Sequence, residues 1–166
     1  MITVGIDPGA KGGIVAIDSN RNILGKRVMP INKDGTINGK ELFNIITYYG
    51  DTDSDVRFGL EKVHAIFGMS AKSCFQFGMN FQACVSALEI SGVSWDFHQP
   101  KTWQKVMFEG SNEIKNSKGK RDTKAMALMV AQRLFPDADL TPTARAVKPH
   151  DGIVDGLLIA EYLQRK

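Results

Sequence analysis

Cysteine is scarce: there are two in 166 residues, Cys74 and Cys84, ten apart in a stretch with helical spacing. Such sites lie about 15 Å apart along a helix axis, beyond the reach of a disulfide. Neither belongs to a CxxC or Cys/His cluster, which argues against a disulfide scaffold or a thiolate metal site and leaves two small apolar residues in a reducing compartment. Long apolar runs are also missing, since none approaches the ~18 residues of a membrane span. The opening Met1-Ile2-Thr3-Val4 has no basic start of a secretory leader. A soluble, cytoplasmic protein is the expectation. There is no internal repeat, no low-complexity tract and no linker long enough to divide the chain. The 43% hydrophobic content suffices for one sizeable core, so a single domain over 1–166 is expected.

The net charge of +3 is unevenly spread. Between Gln99 and Arg133, eight cationic side chains face three acidic ones, a local +5 that leaves about −2 for the rest. Lys115, Lys118, Lys120, Arg121 and Lys124 are concentrated there. A basic arm of this kind suits a polyanion, although a solvated loop has the same composition.

Apolar, β-rich runs at 2–6, 13–17 and 23–29 are separated by Pro8-Gly9, Lys11-Gly12 and Ser19-Asn20-Arg21-Asn22, which predicts a three-strand meander. Thr36 or Asn38 can cap a helix over 40–49, with Leu42, Ile45, Ile46 and Tyr49 on one stripe. A fourth strand follows at 57–63, a long helix at 70–91 closed by Gly92, and a fifth strand at 95–98. Pro100 starts a short helix to about 106, 109–120 reads as a charged loop, and Asp122 can cap a helix to 135. A last helix runs over 151–164. This order describes an α/β domain on a mixed five-stranded sheet flanked by helices.

Four acids stand out against that frame. Asp7 ends the first strand at a Pro-Gly turn, a common place for a turn residue and also for a metal or phosphate to approach the backbone. Glu61 interrupts the apolar run Val56, Phe58, Leu60, Val63, where an acid is costly unless paired or metal-bound; a rim position paired with Lys62 is the competing reading. Asp151 and Asp155, four apart, project from one helix face and repel unless a cation sits between them. Asp151 can also act as an N-cap, which is compatible with ligation. Together they suggest a shared divalent-metal site.

Ile6-Asp7-Pro8-Gly9, Leu60-Glu61-Lys62-Val63-His64-Ala65, Phe75-Gln76-Phe77-Gly78, Gln99-Pro100-Lys101-Thr102-Trp103 and Asp151-Gly152-Ile153-Val154-Asp155-Gly156-Leu157 occur in one order along the chain. In that order and spacing the sequence resembles the RuvC family of Holliday junction resolvases, in particular its compact phage-type members. The resemblance implies an RNase H-like fold and a dimeric, Mg2+-dependent endonuclease that nicks four-way or other branched DNA and leaves 5′-phosphate and 3′-hydroxyl ends. A phage-encoded member would act in the cytoplasm of its host. Asp7, Glu61 and Asp155 match the family's acidic ligands. The family's fourth ligand commonly lies three residues before the last Asp, which here is Gly152; Asp151, one residue earlier, is assigned instead, with His150 as a substitute or supporting group.

By the same resemblance His64 takes the position of a base-stacking aromatic, and Lys101 and Lys124 those of basic contacts. Two Mg2+ ions about 4 Å apart would bridge the scissile phosphate, with Mn2+ as a substitute, because carboxylates suit hard divalent ions. The apolar residues of 70–91, among them Phe75, Phe77, Met79, Phe81 and Ile90, are too spread for one core stripe. They suggest either a homodimer face or a helix sandwiched between the sheet and the 122–135 helix. Phe67 and Met69, just before it, are candidates for wedging open a junction. Other RNase H-like nucleases acting on forks, flaps or RNA–DNA hybrids would use the same acids, and a non-catalytic branched-DNA binder would need none. A nucleotide-binding domain of the actin and sugar-kinase type generally needs a duplicated domain and a second phosphate loop, and 166 residues contain neither.

Overall fold

The computed structural model describes residues 1–53, 55–64 and 68–166. Strands β1 (Ile2–Asp7), β2 (Gly13–Asp18) and β3 (Ile23–Val28) form the expected antiparallel meander. Helix α1 (Gly39–Gly50) leads to β4 (Val56–Glu61), then α2 (Ala71–Ser91), β5 (Ser94–His98), α3 (Pro100–Met107), α4 (Thr123–Leu134) and α5 (Asp151–Gln164). The sheet order is β3-β2-β1-β4-β5, with β4 parallel to β1 and β5 parallel to β4. The mixed five-stranded sheet flanked by helices is therefore as the sequence predicts.

Local signals explain most boundaries. The Asn38 side chain, not Thr36, caps α1 by accepting from the Glu41 N–H, and Asp122 caps α4 by accepting from Ala125. Gly92, at φ 69°, closes α2 in the left-handed conformation that glycine adopts without strain. One boundary, one capping role and one loop differ from the sequence reading. Strand β4 stops at Glu61 rather than residue 63, because its partner β5 ends opposite, at His98. The N-cap of α5 is His150, with Asp151 in the first turn, so Asp151 is not the cap. The 109–120 stretch is more than a loop: Lys115 and Arg121 form an antiparallel bridge, and the Asn116 side chain accepts from the Lys118 and Lys120 N–H groups.

Each sheet face carries its own core. Ile2, Val4, Ile6, Phe58 and Leu60 pack with α1 and α2 on one side. Val15 and Ile17 pack with Trp103, α4 and α5 on the other. The two cores follow from the period-2 alternation of the strands. Helices α2 and α4 thus lie on opposite faces, which removes the expectation of α2 sandwiched between the sheet and the 122–135 helix. Cys84 is buried and Cys74 partly so, both as free thiols. Among the described residues no helix is long and apolar enough to cross a membrane.

Candidate active site

Strands β1 and β4 run parallel and adjacent, with Ile6 opposite Leu60, so their C-terminal residues Asp7 and Glu61 emerge at one edge of the sheet. Both point to the face covered by α5. Gly5, two before Asp7, abuts Gly156 and Ala160, and Gly59, two before Glu61, abuts Ile159 and Leu163. Asp7 also shapes its own turn by accepting from the Gly9 N–H at 3.2 Å, so the turn and site readings of this residue coexist. Glu61 does not pair with Lys62. Its Oε1 accepts from Trp103 Nε1 at 2.9 Å, while the Lys62 ammonium lies 5.5 Å from the centre of the Phe97 ring.

Helix α5 supplies the other two acids, and its position is set by glycine. A Cβ at Gly5 would overlap the Gly156 carbonyl oxygen, and one at Gly152 would overlap the Gly12 backbone. Gly12 and Gly152 form a backbone bridge. With no side chains between them, helix and sheet approach closely enough to hold Asp155 over the ends of β1 and β4. The same contact explains why residue 152 bears no ligand: the space for its side chain is filled by the chain at Gly12. Asp151, one residue earlier, is exposed and accepts from Lys124 Nζ at 2.5 Å.

The electrostatics single out three of the acids. Burial, then Asp7, Glu61 and Asp151, pushes the Asp155 carboxyl up to about 8, against the opposing pull of Lys124. Burial and then Asp7 raise Glu61 to about 7, opposed by the Trp103 N–H. Asp7 is raised by burial, with the Gly9 N–H, His150 and Lys124 pulling the other way. Glu161, wholly buried on α5, shows the alternative. Arg21 grips it at 2.6 and 3.0 Å and Arg165 at 2.9 Å. Asp7, Glu61 and Asp155 have no such partner among the described residues, and Lys124 is bonded to Asp151.

A trio of half-buried carboxylates without a salt-bridge partner among the described residues fits a hard divalent cation. His150 Nδ1, buried and without a hydrogen-bond partner, lies near the same centre and could complete it. Among the described residues no three His, Cys, Asp or Glu side chains are already drawn together as a metal cage. The acids share an electrostatic neighbourhood, and side-chain rotations would have to gather them round an ion.

Cationic residues line two clefts, one of which includes Asp155. Lys124, Lys148, Asp122, Asp151 and Asp155 line a cleft of ≈ 350 Å³. A second groove of ≈ 370 Å³ is lined by Lys101, Gln104, Lys105, Phe108 and Arg121. Arg121 is anchored there, with its guanidinium carbon 5.8 Å from the Phe108 ring centre and Nε donating to Met126 Sδ. Lys115, Lys118 and Lys120 are exposed on the bridged turn beside it, and His64 is exposed just beyond β4. Phe67 lies outside the described residues. Sequence reasoning passed over Lys148, although it stands three before Asp151, and gave no role to Lys105 or to the Trp103 indole, whose partners come from distant segments.

On α2, Phe75 and Ile90 are 72% and 75% exposed and Met79 is 41% exposed, so its second apolar face is open.

The sheet order and flanking helices define an RNase H-like fold. No protein-family model and no curated protein sequence matches the chain. Solved structures do. The Thermus thermophilus RuvC structure superposes with a TM-score of 0.64 at 15% identity, covering 99% of this chain and 96% of that one. T. thermophilus RuvC in complex with Holliday junction substrate gives 0.62 at 16% identity, covering 99% and 95%. The similarity to RuvC extends over nearly the whole length and lies in the fold.

Proposed function

We propose that this chain is a Mg2+-dependent, structure-selective endodeoxyribonuclease that nicks Holliday junctions and other branched DNA, leaving 5′-phosphate and 3′-hydroxyl ends. The observation that carries this reading is that the ends of β1 and β4 and helix α5 bring together Asp7, Glu61 and Asp155, half-buried and without a salt-bridge partner among the described residues, beside a cleft lined by Lys124 and Lys148. The RuvC-like fold adds support, one of the similar structures being a RuvC bound to a Holliday junction.

In this reading Asp7, Glu61 and Asp155 hold the cations, two per site, with Asp151 or His150 completing the set. Bound Mg2+ or Mn2+ supplies Lewis-acid activation of the attacking water and charge neutralisation at the departing 3′ oxygen. The protein's own groups do the rest. Lys124, tethered by Asp151, would offset negative charge developing on the phosphate. Lys101, Lys115, Lys118, Lys120 and Arg121 bind flanking phosphates, and His64 stacks on an exposed base. The open face of α2 joins two copies, so that two sites meet a roughly two-fold junction.

The test is cleavage of end-labelled four-way junction, fork, flap, RNA–DNA hybrid and linear duplex in Mg2+. The expected result is nicking of branched DNA over duplex, abolished in Glu61→Gln with junction binding nearly intact. Preferential cutting of the hybrid would favour another RNase H-like nuclease, and junction binding without cutting would make the protein a branched-DNA binder.

A further inference from the structure

Trp103 is wholly buried on α3, an eight-residue helix that starts at Pro100, two residues beyond the end of β5. Its ring packs edge-on to Phe108 at a centroid distance of 6.1 Å, and its Nε1–H donates to Glu61 Oε1 at 2.9 Å. A buried indole N–H needs an acceptor, and packing alone would be served by any backbone carbonyl. Here the acceptor is a carboxylate 42 residues away in sequence. No other hydrogen bond to the Glu61 carboxylate is present among the described residues.

We propose that Trp103 is a positioning residue, whose indole N–H holds one oxygen of Glu61 and keeps the other turned toward the divalent cation shared with Asp7 and Asp155. The inference rests on the nuclease reading above. Donor chemistry is what makes an indole suit the task. A lysine or arginine at this point would neutralise Glu61, as Arg21 and Arg165 neutralise Glu161, and would compete with the cation. A neutral donor fixes the carboxylate's orientation and leaves its charge available. A rigid ring wedged into the core also holds that donor in place far better than a flexible amide would. Partners that orient a ligating carboxylate in this way typically govern metal affinity or activity by about 10–100-fold.

The chain has two tryptophans, so the 1H–15N spectrum carries two indole resonances, and the one lost in Trp103→Phe is that of Trp103. In the metal-free protein the Trp103 resonance should move upfield in Glu61→Gln, while that of Trp95, on the opposite sheet face, stays. Mg2+ should likewise shift Trp103 and spare Trp95. Trp103→Phe, which keeps an aromatic ring without the donor, should raise the half-saturating Mg2+ concentration and lower kcat about 10–100-fold. KM for the junction should be unchanged. Should Trp103→Phe not fold, benzothienylalanine at 103, a close isostere lacking the N–H, makes the same comparison. A folded donor-less protein with wild-type kcat and Mg2+ requirement would overturn the proposal, as would a Trp103 resonance indifferent to Glu61→Gln. A wild-type protein whose Trp103 resonance responds to Mg2+ but which cuts no DNA would overturn the nuclease reading and leave the positioning role standing.

Discussion

On one face of the sheet α5 buries eleven of its fourteen residues; on the other α2 buries five of its twenty-one. Helix α5 sits in the middle of a core, between β1, β2 and β4 below and α3 and α4 above. Its glycines lock it to Gly5, Gly12 and Gly13. Helix α2 touches the sheet with one narrow stripe and leaves Phe75, Met79 and Ile90 in solvent. The difference separates two tasks. The face that carries the acids has a backbone fixed by close glycine contacts, which leaves only side-chain rotation to adjust Asp155 relative to Asp7 and Glu61. The other face has surface to spare for a partner.

Substitution at a glycine contact should break the comparison most severely. Gly152→Asp would put an acid at the spacing common in the RuvC family, yet its side chain has no room beside Gly12. The expected cost is more than about 4 kcal/mol, seen as loss of the cooperative thermal transition. A folded Gly152→Asp protein with increased Mg2+ affinity would show that the helix can lift off the sheet.

The half-buried acids should next reveal themselves through pH. Asp155, raised from 3.8 to about 8, favours its protonated form in the folded state. Its contribution is therefore complete below about pH 4 and lost as pH rises through 8. Glu61, raised from 4.5 to about 7, acts in the same direction. His98, lowered by burial, acts in the opposite direction, but only below its ordinary 6.5. In EDTA the melting temperature should fall from pH 7 to 8.5, Asp155→Asn should flatten the fall, and Mg2+ should stabilise more at pH 8 than at pH 6. A flat wild-type profile would mean that the acids are not desolvated.

The smallest effect on stability belongs to the open face. Phe75→Glu with Ile90→Glu should change the stability of the fold by no more than about 0.5 kcal/mol each. With α2 joining two copies as proposed, sedimentation should nevertheless move from dimer to monomer. Unchanged mass would leave α2 outside the interface.

The sequence displayed the elements through periodicity and caps, as with Asn38 and Asp122, and the apolar alternation around Glu61 marked an acid out of place. What it concealed was set by contacts distant in the chain. The spacing of Asp151 reads as an irregularity in the sequence alone, and its cause is the packing of Gly152 against Gly12. The Trp103 indole lay in a motif without a role until α3 brought it to Glu61. Whether Lys62 or Trp103 partners Glu61 depends on which side of β4 each occupies, and the end of that strand is set by where β5 stops.

The central claim is that Asp7, Glu61 and Asp155 together take up a divalent cation, and proton release tests it most directly. Calorimetric titration of the wild-type protein with Mn2+ at pH 7, in two buffers of different ionisation enthalpy, counts the protons displaced. With Asp155 near 8 and Glu61 near 7, binding should release about one proton or more per site. Asp155→Asn should lose most of both the uptake and the release. Absence of Mn2+ uptake, or uptake that releases no proton and survives Asp155→Asn, would contradict the account.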